Sequence, residues 1–375
     1  MLTNTINKIE YHIAKLASRN EAVFVDRAAW GLYALLSIWK VAGKIQRIAI
    51  PSFSCQSPLA ATLLAGWDPE FCDVDPSSGI VSNSEWLRVV NKGVDAVLFV
   101  HLFGNVGDAA SIADVCRSKG IYFVEDAAQS FGGMWESNPC GSFGDAAIIS
   151  FGHTKLIDVG QGGMVLTNDH MLATAVRNFK ADHSLMHTIN APIIAKRFQE
   201  MFYAARQKLG TSPELARESF KGLIHFYKPL ILSISKQDIS EKVLECLEKI
   251  DSAIQDRREK NDMYMDMLCK TAMVPLEMSS ASVPWRSTFR LPGIGWADQQ
   301  AISEAVRLEG VDISNWYIPS HWLMGGTFYS ANKLESTERL SKEIFQLWID
   351  QNTDKEEVKR AATVLTLKLK EIGYA

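Results

Sequence analysis

Two apolar runs in the middle of the chain each lead into residues that could do chemistry. The run Tyr122–Val124 is followed by Glu125 and Asp126, and the run Ala146–Phe151 is followed a few residues later by Lys155. Such runs predict buried strands that carry polar groups at their carboxyl ends, which is the edge where open α/β sheets bind ligands. We therefore expect Asp126 and Lys155 to converge on one site.

A lysine amine and a carboxylate in one site have a specific chemical use. The amine can form a Schiff base with an aldehyde cofactor, and the carboxylate can keep a pyridine nitrogen protonated. Pyridoxal phosphate (PLP) requires this pair. Either residue alone indicates little, because most lysines and aspartates are solvated surface groups.

The residues around both strands resemble a known family. The segments EDAAQSFGG, GSFGDAAIISF and QGGMVLTND, within residues 125–169, are similar to the DegT/DnrJ/EryC1/StrS family of PLP-dependent sugar aminotransferases. Further segments in the same order are Ile50–Phe53 with AGWDPEFCDVD, HLFGNVGD from His101, and Tyr317–His321 near the end. The resemblance implies the fold-type I architecture of aspartate aminotransferase, with PLP as cofactor.

The resemblance also implies roles for individual side chains. Asp126 would pair with the pyridine nitrogen, Gln129 would stand by the ring hydroxyl, and Ser150 would bind the cofactor phosphate. Lys155 would hold the cofactor covalently. Related sugar dehydratases carry histidine at that position, so the lysine favours amino transfer.

Residues from two other segments are implied to surround the cofactor and the substrate. Phe53 or Cys55, on the loop after Pro51, would cover one face of the ring, although an aromatic residue after a strand is more often part of the core. Tyr317 and His321 would contact the substrate. The six cysteines form no CxxC or other metal spacing, so we expect reduced thiols and no metal site.

The phosphate of the cofactor needs a cradle, and the sequence offers one near the N-terminus. A strand at Ala22–Val25 feeds a helix that begins after Asp26, and the unpaired N–H groups of a helix start attract anions. Arg27 and Ala28 are therefore the expected phosphate ligands. The family usually has glycine where Asp26 stands, so this acid either opposes the phosphate unless Arg27 neutralises it, or simply caps the helix.

The chain departs from the family again before its interdomain helix. The family normally carries an Asn-Tyr-Arg-Met signature there, whose Asn reaches the phosphate of the neighbouring subunit, whereas this chain has LSISKQ at 232–237. We still expect a homodimer. Lys236 is either a donor that reaches across the dimer or an ordinary surface lysine. His183 and His187 either reach the active site or, as is more common for a histidine in a helical segment, are structural or solvated.

Alternating strand and helix patterns predict an α/β protein with a mainly parallel, doubly wound sheet. By resemblance, this sheet has seven strands and belongs to a large domain at 1–245, which includes a helical segment at 172–236. A smaller α/β domain is expected at 246–375. One long helix over 240–271 is predicted, as is a capping box of Thr353 and Glu356 before the last helix.

Composition limits the classes of function. A chain of 375 residues with 47% hydrophobic and 22% charged residues is expected to form two globular domains. Its net charge of −4 gives no general attraction to nucleic acid or to an anionic membrane. The apolar runs end well before the roughly 20 residues of a membrane span, and no cleavable signal is recognised, so a cytoplasmic location is expected.

The expected function is transfer of an amino group, by resemblance from glutamate, to a keto group of a nucleotide-linked deoxysugar. One alternative is a PLP enzyme of the same fold that acts on another ketone or amine, such as a cyclitol or an antibiotic precursor. The other is a non-catalytic relative, which would have no need to keep Lys155, Asp126, Gln129 and Ser150 together.

Overall fold

The structure is a computed structural model that describes residues 2–183, 191–233, 238–324 and 334–374. Strands and helices alternate up to residue 126, and further strands then follow one another up to residue 167. The strands are β1 (Glu21–Val25), β2 (Arg47–Pro51), β3 (Asp68–Cys72), β4 (Ala96–Val100), β5 (Tyr122–Asp126), β6 (Met134–Trp135), β7 (Asn138–Pro139), β8 (Ala146–Ser150) and β9 (Gly163–Thr167). The helices are α1 (Leu2–Leu16), α2 (Ala28–Ile38), α3 (Gln56–Leu64), α4 (Asn83–Val90) and α5 (Ala109–Lys119).

Seven of these strands form the large sheet, in the order β1-β9-β8-β5-β4-β2-β3. The run from β8 to β3 is parallel, whereas β9 pairs antiparallel with both β8 and β1. Every residue of β4, with the sequence AVLFV, is buried, as expected for a parallel strand covered on both faces. The mainly parallel seven-stranded sheet confirms the predicted fold class.

A helical segment follows the large sheet, as the sequence predicts. It contains α6 (His170–His183), α7 (Ala191–Gln207), α8 (Pro213–Phe220) and α9 (Ile224–Ile231). Helix α9 packs against α7 within the segment and against α3 of the sheet layer. The segment therefore contacts the part of the chain that carries the carboxyl ends of the parallel strands.

The remainder of the chain forms a second, smaller sheet with its own helices. Its elements are α10 (Ser240–Glu248), α11 (Ile250–Leu268), β10 (Val274–Pro275), β11 (Ser287–Arg290), α12 (Trp296–Leu308), β12 (Ile313–Ser314), α13 (Glu335–Glu343), β13 (Ile344–Leu347) and α14 (Lys355–Ile372). The antiparallel order is β10-β11-β13-β12. Helices α11, α12 and α14 supply buried side chains to a separate hydrophobic cluster with this sheet. The division at 245 remains a prediction, and that residue lies inside α10.

Two local predictions are wrong. The expected helix over 240–271 is two helices, because Lys249 leaves the helical conformation with φ −106° and ψ 9°. The capping box before α14 uses Asp354 and Glu357, one residue beyond the predicted Thr353 and Glu356. Among the described helices, none combines the length and the apolar character that a membrane crossing requires.

Candidate active site

The large sheet brings the two predicted reactive residues together at one edge. Strands β5 and β8 are parallel neighbours, with Asp126 paired in register with Ile148, so Asp126 and Ser150 stand at adjacent carboxyl ends. The loop after β8 then places Lys155 over the same edge. All three side chains line one cavity of about 160 Å³.

Most of the predicted site residues line this cavity. They are Arg27, Ala28, Cys55, Asp126, Gln129, Ser150 and Lys155. The other three are not among the described lining residues. Phe53 is fully buried and packs on Phe103 and Tyr317 at centroid distances of 6.0 and 5.6 Å. His321 Nδ1 lies 2.7 Å from the Ser52 hydroxyl, so this histidine packs against the loop that follows β2.

Asp126 is held in a nearly closed environment. Its side chain is 7% exposed, and Oδ1 accepts a hydrogen bond of 3.0 Å from the backbone N–H of Ala128. Burial raises the pKa of this carboxyl, because the charged form loses its water, while the Ala128 N–H and the Lys155 charge act in the opposite direction. A protonated pyridine nitrogen in the cavity would supply the cation that favours the carboxylate.

The pKa of the Lys155 amine is shifted towards neutral pH. Burial lowers the pKa of its amine to about 8, with Cys55 and Asp126 acting against that shift and Arg286 and Arg257 adding to it. The amine lies 4.6 Å from the centroid of the Trp285 ring. A lysine with a pKa near neutrality is partly unprotonated at physiological pH, as a nucleophile and proton acceptor must be.

The backbone around Lys155 is fixed by the C-terminal part of the chain. Arg257 of α11 is almost fully buried and donates from Nη2 to the carbonyl oxygens of Thr154 and Lys155, at 2.8 and 2.9 Å. Thr154 has a left-handed φ of 67°, and its hydroxyl accepts from the Trp285 indole N–H at 3.2 Å. These contacts hold a strained turn that carries the reactive amine over the sheet edge.

The start of α2 offers the cavity donors for an anion. Arg27 precedes α2 in an extended conformation, no side chain caps that helix, and Ala28 and Ala29 of its first turn line the cavity. Gly163 of β9 permits this arrangement, because a Cβ there would stand 2.8 Å from the Ala28 nitrogen. Ser150 and Arg27 line the same cavity.

Asp26 does not act as the cap that the sequence suggested. The structure instead shows Gly162 donating its N–H to the Asp26 carbonyl oxygen at 2.8 Å, and Arg27 occupies the cap position. Asp26 is also not among the described residues that line the cavity. His183 stacks on Phe179 at 3.8 Å, in line with a structural role. His187 and Lys236 lie outside the described residues.

Several lining residues were missed by the sequence reasoning. Tyr227, Leu230 and Ile231 of α9 close one side of the cavity, and the Tyr227 hydroxyl lies 2.8 Å from that of Ser57. The helical pattern of that segment predicts a helix but gives no signal of what the helix covers. Trp285 is not among the described lining residues, but its ring lies beside the Lys155 amine, and it was missed too.

Gln129 connects the cavity to the residues behind it. Its side-chain oxygen accepts from the backbone N–H of Phe103 at 2.7 Å, and its amide nitrogen donates to the Tyr317 hydroxyl at 3.1 Å. Burial raises the pKa of Tyr317, so this phenol stays protonated at neutral pH. Tyr317 therefore orients Gln129 from behind the cavity.

Comparisons with known proteins find sequence similarity to sugar aminotransferases. The chain is 32% identical over 165 residues to dTDP-4-dehydro-2,3,6-trideoxy-D-glucose 4-aminotransferase of Saccharopolyspora spinosa, which is 44% of this chain and 42% of that protein. It is 29% identical over 185 residues to GDP-perosamine synthase of Escherichia coli O157:H7, which is 49% of this chain and 50% of that protein. The chain thus spans about half, or less, of the length of these curated relatives.

The fold has close structural counterparts. PseC of Helicobacter pylori, an aminotransferase involved in the biosynthesis of pseudoaminic acid, superposes with a TM-score of 0.77 at 16% identity, over 98% of this chain and 91% of that one. At this identity the likeness concerns the fold. The sequence model of one family matches residues 1–191, which hold every cavity-lining residue that the sequence predicted. The chain belongs to the DegT/DnrJ/EryC1/StrS aminotransferase family, whose aminotransferases depend on PLP.

Proposed function

We propose that this protein is a PLP-dependent aminotransferase that converts a keto group of a nucleotide-linked deoxysugar into an amine, with glutamate as the amino donor. The observation that carries the proposal is the convergence of Lys155 and Asp126 on one cavity that is also lined by the uncapped start of α2. The two relatives support the substrate class, since their names refer to a dTDP-linked keto deoxysugar and to GDP-perosamine.

The residues of the cavity fit the chemical groups of PLP. The aldehyde requires an amine, which Lys155 offers, and the pyridine nitrogen requires a carboxylate, which Asp126 offers. The phosphate requires several donors. Arg27, the first N–H groups of α2 and the Ser150 hydroxyl provide them at one end of the cavity. Gln129, also in the lining, is the residue for the ring hydroxyl.

Each residue then has a defined task in the reaction. Bound PLP supplies an electron-withdrawing ring that stabilises negative charge at the carbon next to the transferred nitrogen. Asp126 would keep the proton on the pyridine nitrogen, and Lys155 would hold the aldehyde carbon. The free Nζ of Lys155 would accept the proton from Cα of the donor, and it would supply a proton to the sugar carbon that receives the amine.

The surroundings of Lys155 suit these proton transfers. A pKa of about 8 leaves a useful fraction of the amine neutral at physiological pH, while the protonated form remains accessible. Arg257 fixes the carbonyl groups before and after the Cα of Lys155, so the amine moves by side-chain rotation above a fixed backbone. Trp285 offers its ring face to the amine when it is not bound to the cofactor.

A substrate panel tests the proposal. Purified protein loaded with PLP is incubated with glutamate and with keto-deoxysugars linked to dTDP or GDP, with keto-cyclitols as a comparison, and products are identified by mass spectrometry. We expect an amine on at least one nucleotide sugar, together with 2-oxoglutarate. Amination of a cyclitol alone would contradict the substrate class. Failure to bind PLP at all would contradict the enzyme assignment and favour a non-catalytic relative.

We also propose that the protein works as a homodimer in the cytoplasm, with its large domain at 1–245 and its small domain at 246–375. All six cysteines are free thiols, which suits a reducing compartment. Sedimentation measures the assembly directly. A monomer that binds PLP tightly would contradict the dimer.

A further inference from the structure

Helix α9 covers the cofactor cavity from within the same chain. Its residues Tyr227, Leu230 and Ile231 line the cavity together with Arg27 of the phosphate end and Lys155 of the reactive end. The helix is braced against α3, whose first turn also lines the cavity. Leu230 and Ile231 are buried, so this wall excludes water from one side of the site.

Tyr227 is placed and oriented by contacts on both of its ends. Its ring packs edge-on against Phe198 of α7, at a centroid distance of 4.9 Å, and its hydroxyl lies 2.8 Å from the Ser57 hydroxyl. Burial raises the pKa of the phenol, while the Arg27 charge nearby acts in the opposite direction. The group is therefore a neutral hydroxyl that can donate a hydrogen bond, close to the Arg27 guanidinium.

The residue just beyond α9 fixes Arg27. Its guanidinium donates from Nε to the Ser233 hydroxyl at 2.9 Å, and that hydroxyl in turn donates to the Leu230 carbonyl at 2.7 Å. Ser233 is 4% exposed, so the arrangement is protected from water. A guanidinium has five N–H donors, and the use of Nε here leaves the terminal amino groups to meet an anion.

We propose that α9 and Ser233 contribute to phosphate binding in the cofactor cavity of their own chain, with the Tyr227 hydroxyl as a phosphate donor and Ser233 as a positioning residue for Arg27. This inference rests on the proposed function, because the ligand is the phosphate of PLP. The phosphate carries nearly two negative charges, which need several donors in a site that excludes water. Both residues would then act on the phosphate in the chain that carries Arg27 itself.

The first test compares two ligands on matched variants. Dissociation constants of PLP and of pyridoxal, which lacks the phosphate, are measured by absorbance for the wild type, Tyr227→Phe and Ser233→Ala. Tyr203→Phe is the control, since Tyr203 is a half-exposed tyrosine of the same helical segment. We expect Tyr227→Phe and Ser233→Ala to weaken PLP binding about tenfold or more, the effect of one lost hydrogen bond to a charged group, and to leave pyridoxal binding unchanged.

Two results would overturn the phosphate role. One is a PLP affinity within twofold of wild type in both variants. The other is an equal loss for PLP and pyridoxal, which would mean that the residues only support packing. A wild-type protein that binds neither ligand would instead contradict the proposed function, so the two failures are distinguishable.

A second test asks whether Tyr227 acts in its own subunit. Chains with Lys155→Met are mixed with chains with Tyr227→Phe under conditions that exchange subunits, and PLP affinity is measured on the mixture. If Tyr227 acts within its own chain, no hybrid site contains both residues, and the mixture keeps the weak affinity of Tyr227→Phe. A monomeric protein gives the same result. Recovery of wild-type affinity in a fraction of the sites would overturn the single-subunit arrangement.

Discussion

Replacing Lys155 with methionine should stabilise the cofactor-free protein at neutral pH, although it removes the reactive amine. Burial lowers the pKa of Lys155 from 10.5 to about 8, so the protonated amine is less favourable in the folded chain than in the unfolded one. Methionine has a similar length and carries no charge. The buried lysine therefore lowers the free energy of unfolding, and the protein keeps it because the function requires the amine.

The size of the effect follows from the pKa. Each pKa unit corresponds to about 1.4 kcal/mol, so a shift from 10.5 to about 8 amounts to at most about 3–4 kcal/mol at pH 7. Part of this gain is lost, because Lys155 also favours the charged form of Asp126. We expect the Lys155→Met protein to gain about 2 kcal/mol in its free energy of unfolding at pH 7.

The stability difference between the wild type and the variant should change with pH. Below pH 8 both the folded and the unfolded chain hold the proton, and the whole cost is present. Between pH 8 and 10.5 the unfolded chain binds more protons than the folded one, so the wild type gains stability as pH rises. The advantage of the variant should therefore shrink by about 1.4 kcal/mol per pH unit in that window.

The assay is urea unfolding of cofactor-free protein, followed by tryptophan fluorescence at several pH values from 7 to above 9. The ten tryptophans provide the signal. Lys8→Met is the control, because Lys8 is an exposed residue of α1, and it should leave the unfolding free energy nearly unchanged. A Lys155→Met protein that is less stable than wild type at pH 7, or whose advantage stays constant above pH 8, would refute the reasoning.

Three further substitutions give separate predictions. Asp126→Asn should retain PLP but lose at least about a hundredfold in kcat, since a neutral amide cannot keep the pyridine nitrogen protonated, and an unchanged kcat in steady-state assays would refute that role. Arg257→Met should lower the free energy of unfolding in urea by about 3 kcal/mol or more, because it leaves the Thr154, Lys155 and Trp285 carbonyls without their guanidinium donor. A decrease below about 1 kcal/mol would show that these carbonyls find other partners. Gly163→Ala should lower the free energy of unfolding by about 1–3 kcal/mol and weaken PLP binding, because its Cβ would stand 2.5 Å from the Ile149 carbonyl oxygen. An unchanged PLP affinity would contradict the close packing of Gly163 against α2.

The parts of the site that the sequence predicts are those with a local signal. Asp126 and Lys155 come at or just after apolar runs, and a change from apolar to polar residues marks the end of a buried strand wherever that strand lies. The position of β5 follows from the same signal, whereas the role of Ser150 follows from the family resemblance. Strand order and the meeting of β5 with β8 follow from the family fold rather than from periodicity.

The parts that could not be predicted depend on contacts between distant segments. Tyr227 lies 170 residues from Ser57 in sequence, and its helical pattern carries no information about that partner. The break at Lys249 lacks the glycine or proline that usually signals one, so the apolar pattern predicts a continuous helix. Asp26 could be read as a cap because the residue type is right, but the helix begins one residue later than that reading required.

The most direct test of the account identifies the residue that binds PLP. The protein is incubated with PLP, treated with borohydride to make the link to the amine permanent, digested, and analysed by mass spectrometry. The account predicts a pyridoxyl group on Lys155, and its loss from that peptide in the Lys155→Met protein. A modification that falls mainly on another lysine, or an unmodified Lys155 after PLP has bound, would contradict the account.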